Sequence, residues 1–120
     1  MSLEFELGVL LETLGVPVVW GLFDGDVGFP RISLRRVGTV TGYALQGRAD
    51  VETARVQVNI DALSHGELIS LGPQASHLLT GYRSGSVIRI KELSRRDGSS
   101  ETGGEVVRRQ MLDVQVRYRA

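Results

Sequence analysis

Ala54-Arg-Val-Gln-Val-Asn-Ile-Asp61 alternates apolar and polar residues without a break, and Leu112-Asp-Val-Gln-Val-Arg-Tyr-Arg119 repeats the pattern near the far end of the chain. Side chains on a strand point to opposite sides in turn, so Ala54, Val56, Val58 and Ile60 line one face and Arg55, Gln57, Asn59 and Asp61 the other. Leu112, Val114, Val116 and Tyr118 stand likewise against Asp113, Gln115, Arg117 and Arg119. Strands buried on both faces read as unbroken apolar runs, whereas a sheet covered on one side leaves this alternation. The pattern therefore predicts a largely antiparallel sheet with one wet face.

Working outward, Ile32 and Leu34 in Arg31–Arg36 face one way and Arg31, Ser33 and Arg35 the other, which makes another such strand. Val87–Leu93 adds a strand with Ile88 and Ile90 inward and Arg89 and Lys91 outward, and Val106–Arg119 completes the last. The alternation shifts phase at Arg108 and Arg109, so a bulge is expected there. Val16–Trp20 reads as a short strand that Pro17 confines to an edge or a beginning.

Two helices are expected. Leu3, Leu7, Leu10, Leu11 and Leu14 recur at spacings of three and four behind a Ser2 cap, and Gly15 ends the run. Glu4 and Glu6 sit in its first turn, where the helix dipole favours carboxylates. Ser64-His-Gly-Glu67 has the spacing of a capping box, with Leu68, Leu71, Ala75 and Leu78 as the buried stripe beyond it and Gly81 as terminator. Pro73 removes the bond to residue 69, so a kink or break is expected near Gly72. Gly38–Glu52 shows no sustained period and reads as a long loop, and Arg95–Gly104, without an apolar residue, reads as a polar loop or hairpin tip. The sum is an α+β fold: two helices packed on one face of a largely antiparallel mixed sheet of about five to six strands.

At 120 residues the chain fits one domain spanning 1–120. The absence of cysteine excludes disulfides, thiolate metal sites and a thiol nucleophile. No apolar run is long enough to span a bilayer and the acidic start is unlike a signal peptide, so a soluble chain with no membrane partner is expected. Net charge is zero, yet residues 1–30 carry Glu4, Glu6, Glu12, Asp24 and Asp26 and no basic residue, which leaves +5 for the remainder. All the basic residues except Lys91 are arginine. A GC-rich genome accounts for that, as does a meeting of acidic and basic surfaces between neighbouring copies head to tail.

Chemistry finds little support. Asp24-Gly-Asp-Val-Gly28 opens like a calcium loop but has Arg35 at the twelfth position, where a bidentate Glu belongs, so it reads as a turn. His65 and His77 lie twelve apart with no carboxylate to complete a cluster. The glycine-rich stretches lack the Lys-Ser/Thr of a phosphate loop, and no nucleophile motif is present. No catalytic, cofactor-binding or metal-binding residue is assigned, no cofactor is expected, and the chain reads as a non-enzyme. Arg35-Arg36, Arg95-Arg96 and Arg108-Arg109 are arginine pairs suited to phosphates or to ion pairs between subunits.

Trp20-Gly21 followed by Phe29-Pro-Arg-Ile-Ser-Leu34, Ala54–Asp61, the Ser64 helix and the closing Arg108-Arg-Gln-Met-Leu-Asp-Val-Gln-Val-Arg-Tyr118 resemble the small tail-terminator and tail-completion proteins of long-tailed phages and phage-derived particles. The resemblance runs over nearly the whole chain in element order. It implies a homo-oligomer, a hexameric ring that ends tail-tube growth, joins the tail to the head connector, and lets DNA pass through its lumen without specific binding. It also implies assembly in the bacterial cytoplasm and a place in the tail or neck of the particle. The alternatives are another neck or tail component, such as a head-completion adaptor or tail-tube subunit, or a small non-catalytic ligand- or peptide-binding module. Under the assembly reading the candidate contacts are Arg55, Gln57, Arg95, Arg96, Arg108, Arg109, Arg117 and Arg119.

Overall fold

The computed structural model describes residues 3–21, 28–44, 47–102 and 105–119, with side chains described except at 40–50 and 100–105. In chain order it contains helix α1 (Leu3–Glu12), strands β1 (Val18–Trp20), β2 (Arg31–Ala44) and β3 (Gly47–Ala62), helix α2 (His65–Thr80), and strands β4 (Val87–Thr102) and β5 (Glu105–Arg119). The strands form one open sheet in the order β1-β2-β3-β5-β4, with β1 parallel to β2 and every other neighbour antiparallel. Both helices lie on one face of it. The α+β architecture expected from the alternating strands is the one observed.

Each helix is anchored where its sequence pattern places it. Leu3, Leu7 and Leu11 of α1 are buried, and Gly15, at φ 80°, follows the helix in a conformation that costs a residue without a Cβ nothing. Glu6, in the first turn, is also buried: it accepts hydrogen bonds from the Ser86 amide at 3.0 Å and from the Ser86 hydroxyl, a use its place near the dipole did not foretell. Trp20 Nε1 donates to the Glu4 carbonyl at 2.8 Å and ties β1 to α1. In α2 the Ser64 hydroxyl accepts from the Glu67 amide at 3.2 Å, and the Gly81 amide closes the helix on the His77 carbonyl. Pro73 does not break it. Leu68, Leu71, Ala75 and Leu79, two on each side of the proline, are all buried against the sheet, and this packing carries the helix past the missing bond.

The core is a single layer between helices and sheet. Ile32, Leu34, Ala54, Val56, Val58, Ile60, Leu112, Val114 and Val116 are fully buried, in agreement with the faces read from the alternation. In β4 the inward residues are Val87 and Ile90, because Ile88 sits in a bulge between Val87 and Arg89.

Three further expectations need correction. Gly38–Glu52 is not a loop but the distal half of the β2–β3 hairpin, paired as far as Ala44 with Gly47. Arg95–Gly104 belongs mostly to a second hairpin, paired as far as Thr102 with Glu105. Both stretches are held as strands by backbone pairing, which no alternation of apolar residues announces in the sequence. The third concerns the bulge: β3 and β5 stay in regular register from Val51 with Arg119 to Ala62 with Arg108. The extra residues fall in β2, at Arg36/Gly38 and Thr41/Tyr43, and in β4, at Val87/Arg89 and Glu92/Ser94. The central pair keeps step while the flanking strands, free on their outer sides for much of their length, absorb the mismatch.

That register also sets the shape. β3 outruns β5 at Val51, and β5 outruns β3 at Arg108, so the two hairpins project from opposite ends of the sheet. The molecule is 57 Å long and 24 Å across.

Candidate functional site

Residues alternating with the core strand by strand make up the sheet face that no helix covers. Register rows place Arg31, Asp61 and Arg109 side by side, then Ser33, Asn59, Met111 and Arg96, then Arg35, Gln57, Asp113 and Ser94. Arg55, Gln115 and Lys91 form the next row, and Thr53, Arg117 and Arg89 the one beyond, with Arg119 at the end of β5. Among the described residues this face holds nine basic side chains and only two carboxylates, Asp61 and Asp113, on a chain whose net charge is zero.

Both carboxylates are buried, and each ties strands together. Asp61 accepts from Arg109 Nε at 2.6 Å and Nη2 at 3.0 Å, a bidentate pair, while Arg31 Nε lies 3.6 Å away. The hydrogen bond to Asp61 pushes the Arg109 guanidinium above its ordinary pKa, and the Arg31 guanidinium also stands 4.3 Å over the Phe29 ring. Asp113 accepts from Ser94 Oγ at 3.2 Å and faces Arg55 at 3.5 Å and Arg96 at 3.8 Å. Asp61 thus links β2, β3 and β5, and Asp113 links β3, β5 and β4. These contacts fasten part of the arginine array in place, and Arg35, Arg89, Lys91, Arg117 and Arg119 carry no ion pair among the described residues.

Two of the bulges change the character of the face at its middle. Val37 is the extra residue between Arg36 and Gly38, and Leu93 the extra residue between Glu92 and Ser94. Each breaks the alternation and leaves a large apolar side chain in solvent, 49% exposed for Val37 and 43% for Leu93. Together with Gly38, Thr39, Thr53, Arg55 and Gln115 they line an open groove of about 420 Å³. Basic side chains surround an apolar trough.

No family model matches the chain, and no curated protein matches it. A solved structure does. The chain shares the fold of a virion component. The match, to a chain in the virion of a native gene transfer agent (GTA) particle, has a TM-score of 0.63 at 19% identity and covers 93% of this chain and 85% of that one. It spans nearly the whole chain and reports on fold.

Of the candidate contacts read from the sequence, the structure brings Arg55, Gln57, Arg96, Arg109, Arg117 and Arg119 onto the uncovered face. It separates Arg95 and Arg108 from them. Arg95 pairs in register with Leu112 and Arg108 with Ala62, both core residues, so these arginines stand on the helix side; Arg95 meets Glu92 at 3.0 Å. The candidate set omitted Arg31, Arg35, Arg89 and Lys91, although the alternation already turned them outward, and Val37 and Leu93, which no periodicity marks. His65 and His77 are exposed at the two ends of α2. Among the described residues no three His, Asp or Glu side chains come together as metal ligands do. The calcium-like stretch Asp24–Gly28 lies largely outside the described residues, as does Ser2.

Proposed function

We propose that this chain is a structural protein of a phage-derived virion and acts there as a tail terminator, in a ring that ends tail-tube growth and joins the tail to the head connector. The observation that carries the reading is the fold shared along 93% of the chain with a component of a gene transfer agent virion. Its element order also agrees with the tail-terminator resemblance of Trp20-Gly21, Ala54–Asp61 and Arg108–Tyr118. Two hairpins projecting from opposite ends give one subunit contacts above and below its own body, as a component between tube and connector needs. In this reading the chain performs no catalytic step, and its place is the tail or neck of the particle.

Tail assembly in the chain's presence and absence tests it. Co-expressed with its tail-tube protein, the chain should give tubes of uniform length with a ring at one end in electron micrographs; without it tubes should overgrow. Tube lengths indifferent to the chain would overturn the terminator role, and incorporation along the whole tube would make it a tube subunit instead.

A further inference from the structure

Arg89 and Arg117 stand directly opposite each other in the β4–β5 register, with Lys91 the next outward residue along β4 and Arg119 the next along β5. All four are exposed, and among the described residues no carboxylate pairs with any of them. Like charges set across a strand pair cost a sheet stability. The carboxylates of the same strands are engaged elsewhere: Glu92 meets Arg95 and Glu52 accepts from Tyr118 on the helix side, while Asp113 faces Ser94, Arg55 and Arg96. The cluster is thus a local cost that nothing described inside the subunit offsets. It adjoins the groove. Arg89, Lys91 and Leu93 occupy alternate positions of β4 and so recur on one face at intervals of about 7 Å. On β2 the exposed Arg35, also without an ion pair among the described residues, precedes Val37 by two positions. Each half-exposed apolar side chain of the groove therefore follows a cation that the subunit leaves unpaired.

We infer that this face docks an extended acidic segment of a different protein, one that turns carboxylates and an apolar side chain to the same side, the carboxylates onto Arg89, Lys91 and Arg117 and the apolar side chain into the groove lined by Val37 and Leu93. The choice of occupant rests on charge and spacing together. An extended chain repeats its side chains on one face at the interval of the strand beneath it, so residues two apart in the partner meet Arg89, Lys91 and Leu93 in turn. A guanidinium grips a carboxylate through two parallel hydrogen bonds, which suits the arginines to that role. Protein interfaces set apolar and arginine side chains at their centre within a polar rim, and Thr39, Thr53 and Gln115 supply the polar lining here. A nucleic acid backbone would answer the cations but leave Val37 and Leu93 unmatched, and no aromatic side chain lines the groove for bases to stack on. The inference rests on the assembly reading only in that the chain meets other proteins of the particle.

Fluorescence anisotropy of a labelled Glu-Ser-Glu-Ser-Leu-Ser-Glu peptide titrated with the full chain tests it. The peptide should bind saturably at low salt, and its counterpart with serine in place of leucine about tenfold more weakly. Leu93→Ser should lose the same factor toward the first peptide and nothing toward the second. Arg89→Thr should weaken binding of both about threefold, the range of one exposed ion pair. Because that substitution also removes the repulsion across the strand pair, and threonine suits a strand, the variant should melt no lower than the parent. Absence of saturable binding, equal affinity for the two peptides, or an Arg89→Thr variant that binds as the parent does or melts several degrees below it would each overturn the inference. So would a DNA duplex that binds more tightly than either peptide and equally well in Leu93→Ser, which would make the face a polyanion surface. Absent peptide binding beside tubes of correct length would reject this surface and spare the terminator role; the expected affinities beside unregulated tubes would do the reverse.

Discussion

Asp61 is 1% exposed, while the Arg109 side chain that holds it is 45% exposed. Removing either partner breaks the same bidentate pair, but the residue left behind differs. After Asp61→Asn, Arg109 can turn to water, and the loss should be about 1–2 kcal/mol, toward the low end for a charged hydrogen bond because solvent already screens the half-exposed guanidinium. After Arg109→Met, a buried carboxylate remains with only Arg31 at 3.6 Å, and the loss should approach about 3 kcal/mol. Urea unfolding of both variants checks the order; equal losses would mean that Arg31 alone suffices. Tyr118 yields a prediction in pH. Burial, then the hydrogen bond it donates to Glu52 at 2.8 Å, raise its pKa, against the pull of Arg36 5.7 Å from its ring. A phenol whose pKa is higher folded than unfolded stabilises the fold fully below about pH 10, the unfolded value, and that contribution is lost as pH rises through the folded value. Stability should therefore fall above about pH 10 more steeply in the parent than in Tyr118→Phe, as unfolding free energies at each pH would reveal.

Among the elements, the helices and the central strands were legible because each is half covered and its sequence keeps the period of the covering. Leu3, Leu7 and Leu11, Ser64 with Glu67, and the twin Val-Gln-Val stretches carry that signal. The hairpin arms were not legible for the same reason. Past Val51 and Ala62 each hairpin continues as two strands, and pairing through the backbone leaves no mark in side-chain composition. Bulges hide still better, since a single extra residue shifts the phase without changing composition, and so Val37 and Leu93 could not be assigned to the outer face. The tip of the β4–β5 arm, beyond the buried Val107, should be dispensable for folding. Replacing Glu101–Val106 with Asn-Gly, a two-residue turn closing the Ser100 and Val107 pair, should change stability by no more than about 0.5 kcal/mol. The same replacement should impair joining of tails to heads in the assembly reaction. A fall of several kcal/mol on denaturation would show that the arm supports the core.

Over the whole molecule a neutral total hides an uneven distribution of charge. Five carboxylates and no basic residue lie within residues 1–30, whereas the described part of the uncovered sheet face has nine basic side chains against two carboxylates. Such a separation does little to hold a subunit together, since exposed charges more than a Debye length apart are screened, and it costs little when the opposite signs lie on different surfaces. Its effect falls on association, where the field of the basic face draws in a partner surface of opposite sign. Burial of the exposed Val37 and Leu93 by a partner responds to salt in the opposite sense, because salt that is excluded from apolar surface favours its burial. Sodium chloride therefore separates the two contributions. Raised from about 0.1 M to 1 M, it shortens the Debye length from roughly 10 Å to 3 Å. Association of the parent chain should weaken by at least about tenfold over that range if charge guides it, while the melting temperature of the subunit stays nearly constant. Sedimentation at matched protein concentrations reads both the dissociation and its slope, and an oligomer indifferent to salt would leave the apolar contact as its principal support.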